Sequence, residues 1–404
     1  MLLPFVLTFI FVFMFQAGNH SEPFQLAPYA LVLFATLACF NTFKQRKIQS
    51  ISFISSYGMC FILVFSCTLF FSHMAGNYSE TDFFLIIYSI FCCMVAKFVN
   101  EKEDLFLKSF IYVMLLSVPF SFYLFNVKEI NLAFIVLKLE ELWRFNSFFS
   151  VSTNFGIYLA LSILMLFFLI FSKRISSIHI LWVILLFIGS NLSGARTGLS
   201  ALSISIFYII VVYFFRNTFL KKSSIKYYYL LFVILFFGAL SFYYIFVNFD
   251  SLPIKPGSSI HRLLTGDTNS LGGRTEKISI GIQLFNKVDL INQIFGSGSG
   301  SFSVALMNFN GTSPHSGMLR ILYDYGIFSI FVITSMVLFL CAKSVVYFIK
   351  TGNNKVIFYS SIILFLYVCE FMIPALMSLT LEHFMFVYFL YACSKATSNL
   401  NDKI

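Results

Sequence analysis

The run TNFGIYLALSILMLFFLIFS at 153–172 carries no charged residue over a full span length, and its apolar positions follow one another without two-residue alternation. Hydrocarbon offers backbone N–H and C=O groups no hydrogen-bond partner, so a chain that crosses it must be helical or close into a barrel. A barrel strand alternates lipid-facing and lumen-facing residues, and this run does not, which leaves the helix.

Working outward from that stretch, further apolar windows fall near 2–16, 25–43, 51–73, 82–99, 105–124, 178–193, 197–215, 228–248, 318–341, 356–374 and 380–394. The expected fold is therefore an all-α polytopic membrane protein of about twelve transmembrane helices, one membrane domain over 1–404. The first run, 2–16, is short, but no basic residue precedes it and no small-residue cleavage site follows, so it is read as a span rather than a signal peptide. Composition agrees: the 404 residues are 59% hydrophobic, only 11% charged, and include 56 Phe, far from the balance of a soluble domain.

The net charge of +10 is spread over short loops beside apolar runs instead of forming one patch, so nucleic acid is not an expected partner. The eight cysteines all lie inside apolar runs with no CxxC spacing, which points to packing rather than to disulfides or a zinc site. With the N-terminus in the cytoplasm, the segments 44–50, 100–108, 173–177, 216–227, 342–355 and the C-terminal tail are cytoplasmic. Together with Lys97 they hold 17 of the 27 basic residues. That bias sets the expected orientation, with both termini on the cytoplasmic side of the membrane.

Two external segments exceed mere connectors: 125–152, and 249–317 between the ninth and tenth spans. The second is glycine-rich, has Pro253 and Pro256 near its start and a helical pattern near 275–287, and is expected to fold as a small cap subdomain on the external side. Its GSGSGSF segment at 296–302 lacks the Lys-Ser/Thr ending of a nucleotide-binding loop and is expected to be a flexible turn. No internal repeat supports an inverted-repeat transporter.

Charged groups near lipid need a reason. Arg196, in the SGARTG turn, and Arg274, in GGRTEK at the start of the loop helix, run against the inside-positive bias. So do Arg144, in ELWRF, and Arg320, in SGMLRILYDYG. An anion at the outer face is the obvious ligand, and each charge-assisted hydrogen bond to it is worth roughly 1.5–3 kcal/mol. The plain alternative is pairing with Glu140, Glu141, Glu276 or Asp324, or snorkelling to headgroups. That alternative weighs most on Arg144 and Arg320, which are kept as further substrate-binding candidates. His315, between Pro314 and a membrane helix, can accept a proton near neutral pH; Glu140 and Glu141 compete with it as a base.

Taken together, RFNSFFSVSTNFGIYLAL at 144–161, NLSGARTGLSALSISIF at 191–207, GGRTEKISIGIQLF with FGSGSGSF at 272–302, and PHSGMLRILYDYGIFS at 314–329 resemble the O-antigen polymerase and O-antigen ligase family. The resemblance covers roughly 144–340. It implies a membrane glycosyltransferase of the C superfamily, working without metal or other cofactor, that transfers glycan from an undecaprenyl-diphosphate carrier at the periplasmic face. It further implies that Arg196 and Arg274 hold the diphosphate, and that His315 activates or orients the acceptor hydroxyl. A separate chain-length regulator is the expected protein partner. Where many members have an aromatic residue shortly after the loop arginine, this chain has Ile278 and Ile280. Polymerase is preferred to ligase because the late loop is modest and not crowded with arginines, whereas a ligase must also dock the anionic lipid A core. A lipid-linked oligosaccharide flippase and a non-enzymatic membrane subunit are the readings from other classes.

Overall fold

The structure, a computed structural model, describes residues 56–74, 80–126, 152–172, 177–193, 196–219, 278–310, 317–370 and 381–398. Among them lie twelve helices and no strand: α1 Ser56–Met74, α2 Glu80–Glu101, α3 Glu103–Asn126, α4 Ser152–Ser172, α5 Ser177–Leu192, α6 Arg196–Phe219, α7 at 278–285, α8 Leu290–Phe295, α9 Ser301–Asn310, α10 Gly317–Thr351, α11 Asn354–Glu370 and α12 Leu381–Ser398.

Nine of the sequence-derived spans are helices here, while 2–16, 25–43 and 228–248 lie outside the described residues. By length and composition four helices can cross a membrane: 81–101, 103–121, 197–216 and 317–351. Shorter apolar helices cover 60–74, 154–170 and 178–192. Such an array of long apolar helices is that of a multi-pass membrane protein.

Helices that are apolar all round belong in the middle of a bundle. α4 is buried continuously from Phe155 to Leu166, α11 from Val356 to Ile363, and α12 from Leu381 to Leu390. α11 packs against α4, α6, α10 and α12, and α12 packs on α2 as well. α5 instead exposes Ile178, Leu181, Ile184 and Phe187 on one face, the pattern of a peripheral helix. Small residues let backbones close up where no hydrophobic gain separates protein from lipid. A Cβ at Gly198 in α6 would lie 2.8 Å from the Gly156 carbonyl oxygen of α4, and Ser190 of α5 donates to that same carbonyl at 3.2 Å.

The two ends of the bundle are distinct. At one, Lys355 Nζ donates to Glu103 at 2.8 Å, the Tyr359 hydroxyl donates to the same carboxylate, and Phe168 packs on Phe358 and Tyr359. Arg216 stacks on Phe348 at this end too. Described parts of 100–108, 216–227 and 342–355, three segments expected to share a side, therefore do share one end. The opposite end carries 278–310, which has a small core of its own built from Ile280, Phe285, Phe302, Leu306 and Tyr323. This segment is the described part of the loop 249–317 and is called the cap below; its first helix, α7, falls within the stretch 275–287 read as helical from the sequence.

α10 runs ten residues beyond the expected 318–341, because helical hydrogen bonding continues past the point where Lys343 ends the apolar window. Within it Gly326 has φ +76° and breaks the helix.

Candidate functional site

The cap end is where chemistry-bearing side chains gather, and the break at Gly326 organises them. In an unbroken helix the carbonyls of Tyr323 and Asp324 would accept from residues four further on. Here the Tyr323 carbonyl accepts from Ser297 N and the Asp324 carbonyl from Gly298 N, each at 3.0 Å. The glycine-serine segment thus completes the hydrogen bonding of α10. Its path is close: a Cβ on Gly296 would strike the Asp324 and Tyr325 backbone, and a Cβ on Gly326 would strike the Ile294 carbonyl. Both glycines have positive φ, +93° and +76°, a region that side chains disfavour.

The N–H groups that follow in the loop meet two carboxylates. Ser299 N donates to Asp82 Oδ1 and Oδ2 at 3.2 and 3.1 Å. Gly300 N donates to Asp324 Oδ2 at 2.9 Å and Phe302 N to Asp324 Oδ1 at 2.7 Å. Successive backbone N–H groups at a helix start make an anion nest, and the Asp324 carboxylate occupies the one at the start of α9. The expectation of a flexible turn at 296–302 is therefore corrected. Gly296, Ser297 and Gly298 are buried, and the loop's donors serve the protein's own carboxylates.

Arg320 Nε donates to Asp324 Oδ2 at 3.2 Å, with the two side chains 13% and 0% exposed. The plain alternative weighed for this arginine, pairing with Asp324 one turn on, is what the structure contains. The Tyr325 hydroxyl donates to Ser299 Oγ at 3.0 Å. Gly317, at the start of α10, sits directly against the Glu370 backbone and carboxylate, where a Cβ would collide. Thr68 of α1 donates to the Phe295 carbonyl at 3.0 Å, and the Phe71 ring stacks on Phe295 at 3.9 Å.

Of the other residues expected to act, Arg196 is the first residue of α6. α6 and α10 run parallel, since Tyr208 meets Cys341 and Tyr213 meets Phe348, so Arg196 opens its helix toward the end that carries Arg320. Arg144, Arg274 and His315 lie outside the described residues.

Sequence reading passed over Asp82, because an acid at the start of a span looks like an ordinary boundary residue. It also passed over His383, fully buried, whose Nε2 lies 3.1 Å from Ser89 Oγ among Phe61, Phe65 and Tyr88, next to buried Glu382. Its one available signal was an EH pair inside an apolar helix. Among the described residues no group of three or more His, Cys, Asp or Glu is arranged to hold a metal ion.

No protein-family model matches the chain, and no curated protein matches it. The class that the fold defines is a multi-pass helical membrane protein with a cap segment docked on one end.

Proposed function

We propose that the protein is a polysaccharide polymerase of the O-antigen type, a glycosyltransferase joining undecaprenyl-diphosphate-linked repeat units at the periplasmic face of the bacterial inner membrane. The observation that carries the reading is the ordered set of basic motifs around Arg196, Arg274 and His315, the last two within the one large late loop. Arg196 opening a helix toward the cap end supports it, because a helix start offers an anion backbone N–H donors and a positive pole.

In the proposed reaction an acceptor sugar hydroxyl loses its proton to the imidazole of His315, and its oxygen attacks the anomeric carbon of the growing glycan. The bond from that carbon to the diphosphate oxygen breaks, and undecaprenyl diphosphate leaves with the electron pair. Negative charge grows on the leaving group, so Arg196 and Arg274 act where preorganised cations lower the barrier most. Arg144 remains a further candidate for the carrier. Arg320, already paired with Asp324, is better suited to holding the cap than to meeting a diphosphate. A single displacement inverts the anomeric centre.

Reconstitution in liposomes with an undecaprenyl-diphosphate-linked repeat unit tests this directly. A ladder of products from that substrate alone is the expected result; transfer only when lipid A core is added means a ligase. One observation favours a second reading, a lipid-linked oligosaccharide flippase: Glu370, Glu382 and His383 are ionisable groups buried among helices, where such groups are costly and mark substrate pathways or internal partners. Translocation of the lipid-linked substrate with no glycan transfer would establish that reading and end the first.

A further inference from the structure

At the end opposite the cap, Arg216 lies in the last turn of α6 in an unusual setting. Its guanidinium carbon lies 4.8 Å from the centroid of the fully buried Phe348 ring, and the Tyr213 ring packs on the same Phe348, also at 4.8 Å. Nη2 lies against Gly352, the residue after α10, where any Cβ would collide with it. Gly352 has φ +74°. The cation is thus pinned between an aromatic face and a bare stretch of backbone.

Among the described residues no carboxylate pairs with it. Nε is buried and has no hydrogen-bond partner. The ion pairs found among the described residues are Arg320 with Asp324 and Lys355 with Glu103, and Glu103, at the same end of the bundle, is engaged by Lys355 and by Tyr359. Arg216 is half-buried as a whole, and Nε is its one buried nitrogen left without a partner, so the edge that faces outward is the Nη pair. Two parallel N–H groups in a plane match two oxygens of a phosphate. Arg216 is also the last residue of the 197–216 span, which sets it at the depth of lipid headgroups. Lys350, in the last turn of α10, is exposed, and Lys221, Lys222 and Lys226 follow α6 in sequence. A basic cluster next to a span attracts anionic headgroups.

We infer that the guanidinium of Arg216, held by Phe348 and Gly352, is a binding site for a phosphate oxyanion at the membrane boundary. Two sources supply that chemistry, the phosphodiester of an anionic phospholipid and free phosphate. The site is separate from the cap end and independent of the glycosyltransferase reading.

The test uses the full chain purified in neutral detergent, with thermal unfolding followed as phosphatidylglycerol, phosphatidylcholine or inorganic phosphate is added. Phosphatidylglycerol is expected to raise the midpoint and phosphatidylcholine to leave it in place, since a ligand that binds only the folded state stabilises it. Arg216→Gln is expected to need about ten times more phosphatidylglycerol, or more, for the same rise. Arg216→Lys keeps the charge and serves if the glutamine variant does not fold; it is expected to retain only part of the response. Lys350→Gln is expected to keep most of it. A rise with inorganic phosphate as well assigns the site to any phosphate oxyanion, whereas a rise with lipid alone assigns it to the headgroup. An unresponsive wild-type chain, or Arg216 variants that respond as wild type does, overturns the inference.

Discussion

Asp82 and Asp324 hold neighbouring amides of one loop: Ser299 N donates to the first and Gly300 N to the second. The two acids come from different helices, α2 and α10, so the cap is fastened to the bundle at two places by backbone donors that no side-chain pattern announces.

Asp324 is the more heavily engaged of the two. Asp324→Asn removes the charge facing Arg320 and leaves a cation that is only 13% exposed without its partner, which is expected to cost about 3–5 kcal/mol. Arg320→Leu is expected to cost less, roughly 1–3 kcal/mol, because the carboxylate keeps its Gly300 and Phe302 amides. Thermal unfolding of the two variants in the same detergent checks the order.

Three loop-region glycines with positive φ are expected to respond differently to alanine. Gly300 opens onto free space, so Gly300→Ala carries only the backbone penalty of about 1–2 kcal/mol. Gly296→Ala and Gly326→Ala add a collision with backbone that cannot move aside, and each is expected to melt well below Gly300→Ala. Protease sensitivity near 296–302 should rise in the same order.

Within α6 an alanine ordinarily stabilises a helix by up to ~1 kcal/mol relative to glycine. Gly198→Ala is expected to do the reverse, since its Cβ would press on Gly156 O and Ile157 Cα at 2.8 and 3.0 Å and forced overpacking costs about 1–3 kcal/mol. A lowered melting midpoint against wild type is the expected reading.

At the far end Lys355 is 49% exposed, and Lys355→Ala is expected to cost less than about 1 kcal/mol. Glu103→Ala also strands the Tyr359 hydroxyl, which is mostly buried, and is expected to cost about 1–3 kcal/mol. A double-mutant cycle of Glu103 with Tyr359 should show the larger coupling.

For the proposed activity, Arg196→Ala and Arg274→Ala are each expected to abolish chain extension in the reconstituted assay while the protein still inserts into membranes. His315→Ala is expected to lose activity by a factor of 10²–10⁴, the range of a general base. Full extension by both arginine variants would remove the carrier-binding assignment.

Much of the bundle was legible because lipid exposure and burial both demand apolar residues, so windows such as 153–172 and 178–193 mark helices wherever they face. Their ends were less so. Hydropathy stops at Lys343, but the backbone ladder of α10 continues to Thr351. The pairing of Arg320 with Asp324 was readable from its four-residue spacing. The grip of Asp82 on Ser299 was not, since it joins distant parts of the chain through a backbone amide. GSGSGSF looked pliable for the same reason: composition records that glycine permits many conformations and is silent about which neighbour selects one.

The break in α10 has a consequence for how the molecule opens. The carbonyls of Tyr323 and Asp324 are bonded to Ser297 and Gly298 rather than to the next turn of their own helix. The stretch from Gly317 to Tyr325 therefore shares its fluctuations with the cap more closely than with the remainder of α10. In hydrogen–deuterium exchange the amides of Ser297, Gly298, Gly300 and Phe302 would surrender their protection together, as one cooperative unit. The lower part of α10, from Ile327 onward, would hold its protons through that event.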